Sequence, residues 1–184
     1  MDVLVVVDCQ NDFIDGSLAC HHSHEAVENI VKFIKENKVT PVYSMDWHNR
    51  ENKSFKENGG IWPVHCVRDT HGSELSKVFY EKLDGEDVPN NENSFKKGMD
   101  DVVEEYSAFN AKNACGTKIH ELDAKTFYVC GIASEFCVRE TVLELRRHGK
   151  NVVLLEDLLG YVDEENHKKT IEELKKMGVE VLWI

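Results

Sequence analysis

The sequence contains no apolar run long enough to cross a membrane. The run that opens it, Val3–Val7, ends at Asp8, whereas a spanning helix needs roughly 20 apolar residues. The preceding Met1-Asp2 supplies neither the basic start nor the cleavage site of a secretory signal peptide. We therefore expect a cytoplasmic protein without a membrane partner.

Basic residues are scarce. The 184 residues include 22 Lys and Arg against 34 Asp and Glu, which gives a formal net charge of −12. A surface of this sign repels nucleic-acid phosphates and anionic lipid headgroups. The composition therefore argues against a nucleic-acid partner, and it leaves open whether the chain forms a homo-oligomer.

Paired-cysteine spacing is also missing. No CxxC pair occurs, and a chain of this length can bury a core without disulfide staples. Free thiols in a reducing compartment are therefore the expectation for Cys9, Cys20, Cys66, Cys115, Cys130 and Cys137.

What the sequence does contain is an alternation of apolar runs and amphipathic segments. Continuous hydrophobicity marks strands buried on both faces of a parallel sheet, and such runs occupy Val3–Val7, Thr40–Ser44, Thr126–Cys130, Asn151–Leu155 and Val179–Trp183. Helical spacing of apolar residues is found between them, at Ala26–Ile34, Val138–Leu145 and Ile171–Met177. Glycines are expected to end the last two helices, at Gly149 and Gly178. With right-handed crossovers, this order predicts one α/β domain over residues 1–184, a parallel sheet with helices on both faces.

The interval from Asp46 to about Asp101 interrupts that alternation. It is rich in polar residues and carries Gly59-Gly60, Pro63 and Gly85. A loop this long within a compact domain is usually functional. Ligands of such folds bind at the carboxyl ends of the strands, so the residues that follow each apolar run are the candidates for a site.

Reactive side chains follow three of the predicted strands. Asp8 follows the first, Asp46 and His48 follow the second, and Cys137 lies shortly after the third. A single aspartate in such a position is more often a turn or helix cap. The coincidence of three such groups at one sheet edge favours a catalytic site.

Cys137 falls in the first turn of a predicted helix, with Ser134 as its N-cap. The helix dipole and the unpaired amides there stabilise a thiolate and can donate to an oxyanion. The alternative is a small buried cysteine, an interpretation that fits Cys9, Cys66 and Cys130 well. The sequence thus indicates Cys137 as the candidate nucleophile.

A mixed nitrogen and oxygen donor set occurs in the same region. Asp46-Trp47-His48 offers a carboxylate and an imidazole, and His65 in Trp62–Cys66 offers a second imidazole. Such donors suit zinc, iron or manganese, with positions left open for water or substrate. Solvated or hydrogen-bonded surface histidines are the commoner alternative, and that interpretation is kept for His21, His22, His24, His120, His148 and His167.

Six motifs can be read together: Asp8–Phe13, Asp46–His48, Trp62–Cys66, Lys97-Gly98, Tyr106–Phe109 and Gly131–Arg139. In this order and spacing the chain resembles the nicotinamidases, within the isochorismatase-like cysteine hydrolases. The resemblance covers nearly the whole sequence. Lys97 alone would be taken for a surface lysine, and only the resemblance gives it a role.

The resemblance implies a three-layer α/β/α fold with a doubly wound, mostly parallel sheet and a triad of Asp8, Lys97 and Cys137. Asp8 would take the thiol proton, Lys97 would hold the acidic groups in order, and Cys137 would attack a carboxamide carbon. The amides of Ala133 and Cys137 would hold the oxyanion, with a cis peptide bond between Ile132 and Ala133. The implied reaction converts nicotinamide into nicotinate and ammonia through a thioester, in NAD salvage, with pyrazinamide as a second substrate.

The resemblance also implies a divalent metal that binds the pyridine nitrogen of the substrate, zinc before iron or manganese. Its protein ligands would be Asp46, His48 and His65. The aromatic rings of Phe13 and Trp62 would lie on either side of the substrate ring. The pocket would be completed by Tyr106 and Ala133.

One position departs from the family pattern. Many members have a further histidine six residues after the metal-binding aspartate, and Asn52 stands there in this chain. Asparagine is a weaker, neutral ligand. The metal would therefore have one protein bond fewer, a different metal preference, or a substitute ligand in Glu51 or Glu57.

Three other functions fit these residues less well. An amidase of the same superfamily could act on carbamoyl or ureido groups without a metal, but the Asp46–His48 and Trp62–Cys66 motifs argue against it. A non-catalytic binding or scaffold protein would not need an intact Asp8, Lys97 and Cys137. An isochorismatase that cleaves a vinyl ether would not need the cysteine nucleophile.

Overall fold

Six strands form one sheet in the computed structural model, which describes residues 1–184. They are β1 (Asp2–Val7), β2 (Thr40–Asp46), β3 (Ser94–Lys97), β4 (Thr126–Gly131), β5 (Val152–Leu159) and β6 (Glu180–Leu182). Their order across the sheet is β3-β2-β1-β4-β5-β6, and every neighbouring pair is parallel. The strand order reverses between β1 and β4, so the sheet is doubly wound. The predicted α/β fold is confirmed, with a sheet that is wholly parallel.

Helices cover both faces of this sheet. They are α1 (Asn11–Ile14), α2 (Ser23–Glu36), α3 (Lys77–Lys82), α4 (Arg139–Arg147) and α5 (Glu164–Lys176). The last two end as predicted, since Gly149 and Gly178 follow them with φ of 74° and 79°. None of the helices combines the length and the apolar character that crossing a bilayer requires.

Two apolar clusters fill the two sides of the sheet, because alternate residues of β1 point to opposite faces. Leu4 and Val6 pack in the cluster that contains Ile30 of α2. Val5 packs in the other cluster, with Val142 of α4. Burying each such side chain contributes about 1.5–3 kcal/mol, and this layering holds the carboxyl ends of the strands at one fixed edge.

The long interval after β2 is more ordered than the sequence pattern predicts. It contains α3, several short helical turns and the edge strand β3. In β3, Phe95 and Lys97 are buried, and the alternate residues Ser94 and Lys96 are less so. An edge strand of this kind lacks the continuous hydrophobicity by which the other strands were recognised.

The last strand differs from its prediction as well. The run Val179–Trp183 was expected to be buried on both faces, but β6 is an edge strand whose residues are largely exposed, and Trp183 is 73% exposed. The six cysteines are free thiols, as predicted.

Candidate active site

The carboxyl ends of β1, β2 and β3 bring three charged side chains together. Nζ of Lys97, at the end of β3, lies 2.9 Å from Oδ2 of Asp8 and 2.5 Å from Oδ1 of Asp46. It also lies 3.6 Å from Sγ of Cys137, in the turn after β4. Lys97 is only 1% exposed, so it is a buried cation rather than the surface lysine that its sequence alone suggests.

Different partners hold the Asp8 carboxylate and the Asp46 backbone. The hydroxyl of Ser44 donates to Oδ1 of Asp8 at 2.6 Å. Gln10 donates from Nε2 to the carbonyl of Asp46 and accepts from its amide, both at 2.8 Å. Sequence reasoning missed Ser44, since a hydroxyl inside a buried strand carries no signal of its own.

The environment pushes the pKa values of these carboxyl groups apart. Burial raises the pKa of Asp8, although Lys97 opposes that shift. Burial also acts on Asp46, but there Lys97 and His48 outweigh it and hold the pKa of this carboxyl well below its usual value. Such a division leaves Asp8 able to exchange a proton near neutrality more readily than Asp46, which stays ionised.

Burial disfavours the charged forms of both Lys97 and Cys137, but the outcome differs between the two. It lowers the pKa of Lys97, but the carboxylates of Asp46 and Asp8 outweigh it, so the pKa is well above its usual value and the ammonium is retained. Burial raises the pKa of Cys137 well above its usual value, and Lys97 opposes this only in part. The resting group is therefore a thiol, in contrast to the thiolate expected at a helix start, and it needs a base.

Asp8 is the candidate base, because it lies close to this thiol. A carboxylate oxygen of Asp8 and Sγ of Cys137 lie within 4.8 Å of one another. Oδ2 of Asp8 makes no well-directed hydrogen bond in the protein, although Lys97 is close. This oxygen is free to accept a proton from the thiol.

The turn that carries Cys137 differs in detail from the prediction. Ser134–Val138 form a π-helical turn ahead of α4, and its N-cap is Ala133 rather than Ser134. The peptide bond between Ile132 and Ala133 is cis, as expected. The amide of Ala133 donates to no backbone acceptor, so it is available for an oxyanion.

A separate group of donors lies beside the buried lysine. Nε2 of His48 and Nε2 of His65 lie 3.4 Å and 3.9 Å from Oδ2 of Asp46. The Nδ1 atoms of the two rings face the carbonyls of Gly98 and Pro63, at 2.7 Å each. Donation of Nδ1–H to these carbonyls leaves both Nε2 atoms as acceptors that face the same carboxylate oxygen.

This donor set fits a divalent metal. Two imidazole nitrogens and one carboxylate oxygen within 4.8 Å of one another are typical of zinc and related ions, and second-sphere carbonyls commonly orient such rings. A second cluster of Asp8, Asp46 and Cys137 is equally compact. There the Lys97 ammonium already supplies the positive charge, which disfavours a metal cation at that cluster.

Asn52 and the two candidate substitute ligands add no donor to this set, although Nδ2 of Asn52 lies 3.2 Å from Nδ1 of His48. Nδ2 of Asn52 donates to the carbonyl of Asp100 at 3.2 Å, and Oδ1 accepts from the amide of Ser54 at 2.9 Å. Glu51 is exposed, and Glu57 pairs with Arg50 at 3.1 Å on the surface. The donor set therefore consists of the three predicted residues and gains no protein ligand from these positions.

A cavity opens above the thiol and the donor set. The empty space within it and at its open mouth is about 380 Å³, solvent included. The pocket residues expected from the sequence, Phe13, Trp62, Tyr106 and Ala133, all line it. Sequence reasoning assigned no pocket role to five further lining residues, although Phe136 lies within the Gly131–Arg139 motif: Leu18, Cys20, Glu104, Phe136 and Val162.

Comparisons with known proteins agree with this geometry. The sequence profile of the isochorismatase domain matches residues 2–183. Among curated relatives, the nicotinamidase of Saccharomyces cerevisiae is 27% identical over 99% of this chain and 99% of its own length. The nicotinamidase/pyrazinamidase of Mycobacterium tuberculosis is 29% identical over 99% of this chain and 98% of its own.

Solved structures are similar over the same extent. The pyrazinamidase of Pyrococcus horikoshii in complex with zinc is 31% identical with a TM-score of 0.85, covering 100% of this chain and 99% of that one. PnC1 from L. infantum in complex with nicotinate is 32% identical with a TM-score of 0.83, covering 100% and 92%. The chain therefore belongs to the isochorismatase family.

Proposed function

We propose that this chain is a nicotinamidase that hydrolyses nicotinamide to nicotinate and ammonia through a cysteine thioester. The observation that carries the proposal is the adjacency of two groups at the floor of one aromatic cavity. Asp8, Lys97 and Cys137 provide the chemistry of amide cleavage, and the donor set beside them provides a site for a divalent metal. Relatives named for nicotinamidase and pyrazinamidase activity support this assignment.

The first half of the reaction forms the thioester. Asp8 accepts the thiol proton as Sγ of Cys137 bonds to the carboxamide carbon. The amides of Ala133 and Cys137 donate to the oxygen that becomes negative. Asp8 then returns the proton to the amide nitrogen, the carbon–nitrogen bond breaks, and ammonia leaves.

The second half restores the enzyme. Asp8 takes a proton from a water molecule as the water oxygen bonds to the thioester carbon. The carbon–sulfur bond breaks, nicotinate is released, and Cys137 recovers its proton. The fixed ammonium of Lys97 keeps the two carboxylates apart and stabilises the charge that passes between Asp8 and the sulfur.

Binding of the substrate ring falls to the rest of the cavity. Asp46, His48 and His65 would hold a divalent metal, zinc in the first instance, which would act as a Lewis acid that anchors the ring nitrogen. Phe13 and Trp62 flank the ring, and the hydroxyl of Tyr106 accepts from Nε1 of Trp62 at 3.1 Å and so fixes that indole. Pyrazinamide has the same ring nitrogen and carboxamide, so we include it as a second substrate. NAD salvage is the proposed physiological role, since nicotinate is a precursor for that pathway.

Ammonia release from nicotinamide tests the proposal. Metal-replete wild type is expected to release ammonia, Cys137→Ala to release none above background, and a chelated sample to fall in rate. Cys115→Ala is the matched control, because this thiol is exposed and lies outside the cavity. No release by metal-replete wild type would refute the assignment and direct the assay to ureido and carbamoyl amides.

A further inference from the structure

A second hydrogen-bonded group lies behind the turn that carries Cys137. Its centre is the hydroxyl of Ser134, a residue that is 1% exposed. The hydroxyl oxygen lies 2.7 Å from Nδ1 of His167, in the first turns of α5, and 3.1 Å from Oε2 of Glu135. None of these three residues lines the cavity, and the proposed reaction does not use them.

The same group reaches the wall of the cavity. Oε1 of Glu135 accepts from the amides of Val162 and Asp163, both at 2.8 Å. The amide of Ser134 donates to the carbonyl of Gly160 at 2.9 Å. Since Val162 lines the cavity, these bonds tie the turn after β4 to the segment that closes one side of the pocket.

The direction of the bonds follows from the donors present. The carboxylate of Glu135 can only accept, so the single hydroxyl proton of Ser134 is directed to it. The oxygen of Ser134 then accepts from Nδ1–H of His167. The imidazole is itself held by Tyr161, whose ring stacks on it with centroids 4.5 Å apart and an interplanar angle of 19°.

We propose that Ser134, Glu135 and His167 form a clasp that positions the Ala133 amide for the oxyanion of the reaction. On the side of β4, the chain is fixed because Ile132 donates to the carbonyl of Val7 at 2.8 Å. On the other side, Ala133 is followed directly by Ser134, whose backbone and side chain are both held by the clasp and its neighbours. The inference rests on the proposed function, and it makes His167 a positioning residue.

Substitutions of His167 separate this role from simple packing. His167→Phe keeps a ring that can stack on Tyr161 but removes the donor, and Ser134→Ala removes the centre of the clasp. We expect both to lower kcat roughly 10- to 100-fold, the scale of a displaced oxyanion donor. KM for nicotinamide should stay within about 2-fold, since the change acts on the transition state. His167→Asn supplies an N–H near the position of Nδ1 and should recover part of the loss.

A pyridine aldehyde provides a direct readout of the oxyanion site. The thiol of Cys137 adds to its carbonyl carbon, and the thiol proton ends on the resulting oxygen or on Asp8, which gives a tetrahedral adduct. Its affinity should fall in His167→Phe by the same factor as kcat, whereas nicotinate affinity should not. His120→Phe is the matched control, because His120 also stacks on an aromatic ring, Phe109 at 4.3 Å, outside the cavity.

Hydrogen–deuterium exchange tests the clasp without any substrate. The amides of 132–138 should exchange faster in His167→Phe than in wild type or His120→Phe. If the wild type fails to hydrolyse nicotinamide, the proposed function is refuted, but the exchange rates of the two variants still test the clasp. The clasp is refuted if exchange in His167→Phe is unchanged, or if the wild type is active and His167→Phe keeps its kcat.

Discussion

Lys97 balances two buried carboxylates at once. Without its ammonium, Asp8 and Asp46 would face each other in a site closed to water. Removing one partner of a buried ion pair typically costs 3–5 kcal/mol, because the remaining charge is uncompensated. We therefore expect Lys97→Met to lower the free energy of unfolding by about that amount and to abolish ammonia release, as measured by urea denaturation and a turnover assay.

The control for this prediction is a lysine in an exposed pair. Lys169 lies 2.7 Å from Glu165, and both side chains are more than half exposed. Such surface pairs contribute little, so Lys169→Met should leave both the urea midpoint and the activity near wild type. Equal stability of Lys97→Met and wild type would show that the cluster is not charged as described.

Asp8 and Asp46 contact the same ammonium, but their substitutions are expected to have different effects on activity and on zinc binding. Asp8→Asn removes the proton acceptor and should lower kcat by roughly 10²–10⁴-fold while zinc binding persists. Asp46→Asn removes the carboxylate that both imidazoles face and should lose zinc together with activity. Metal content after dialysis, measured beside ammonia release, separates the two. Loss of zinc from Asp8→Asn would contradict the division of roles.

At the level of single residues, the sequence predicts reactive groups better than their supports. Asp8, Asp46 and Cys137 were found because each follows a recognisable strand. Lys97 was predicted only through the family resemblance, since its strand has no continuous apolar run and a lysine is ordinarily exposed. The supporting hydroxyl of Ser44 depends on a contact 36 positions away in sequence, which no local pattern encodes.

Among the elements, β3 matters most for the site and is the one strand that the sequence pattern did not reveal. Parallel pairing with β2 sets Lys97 opposite Asp46. The chain then turns at Gly98, whose carbonyl faces Nδ1 of His48 at 2.7 Å. The central strands were predicted because burial on both faces demands continuous hydrophobicity. The edge strands β3 and β6 are under no such demand, so their limits and exposure were not predicted.

The turn after β3 yields a prediction about metal affinity. Gly98 has φ of +69°, and a Cβ there would lie 2.6 Å from Cε1 of His48. Gly98→Ala should therefore displace His48 and weaken zinc binding roughly 10- to 100-fold, the usual cost of disturbing a second-sphere contact. A zinc titration against a competing chelator measures the change.

A second glycine isolates the effect of the contact from that of the backbone. Gly116 has φ of +81°, and a Cβ there would meet nothing within 4 Å. Gly116→Ala should cost about 1–2 kcal/mol of stability through its left-handed backbone, as Gly98→Ala does, but it should leave zinc affinity unchanged. Similar affinities for the two variants would mean that the turn does not position His48.

At the scale of the whole molecule, the candidate metal site joins the end of β2 to the irregular interval that follows it. Asp46 ends β2, His48 follows it, and His65 comes from the irregular interval beyond. A metal that binds only the folded chain stabilises it by mass action, about 2.7 kcal/mol at a concentration 100-fold above its Kd. Zinc should therefore raise the Tm of the wild-type protein, and a chelator should reverse the rise.

The size of that rise should depend on pH, because imidazole must be neutral to bind a metal. Burial lowers the pKa of His48, but the charge of the Asp46 carboxylate and the carbonyl of Gly98 together outweigh burial, and the pKa is raised above the usual value of 6.5. Protons therefore compete with zinc at His48 from a higher pH than at an ordinary histidine. We expect the zinc-induced rise in Tm to be full in mildly alkaline buffer and to shrink as the pH falls through neutrality. His48→Asn should show little rise at any pH, whereas His24→Asn, at an exposed position, should follow wild type. A rise that is independent of pH would place the metal on other ligands.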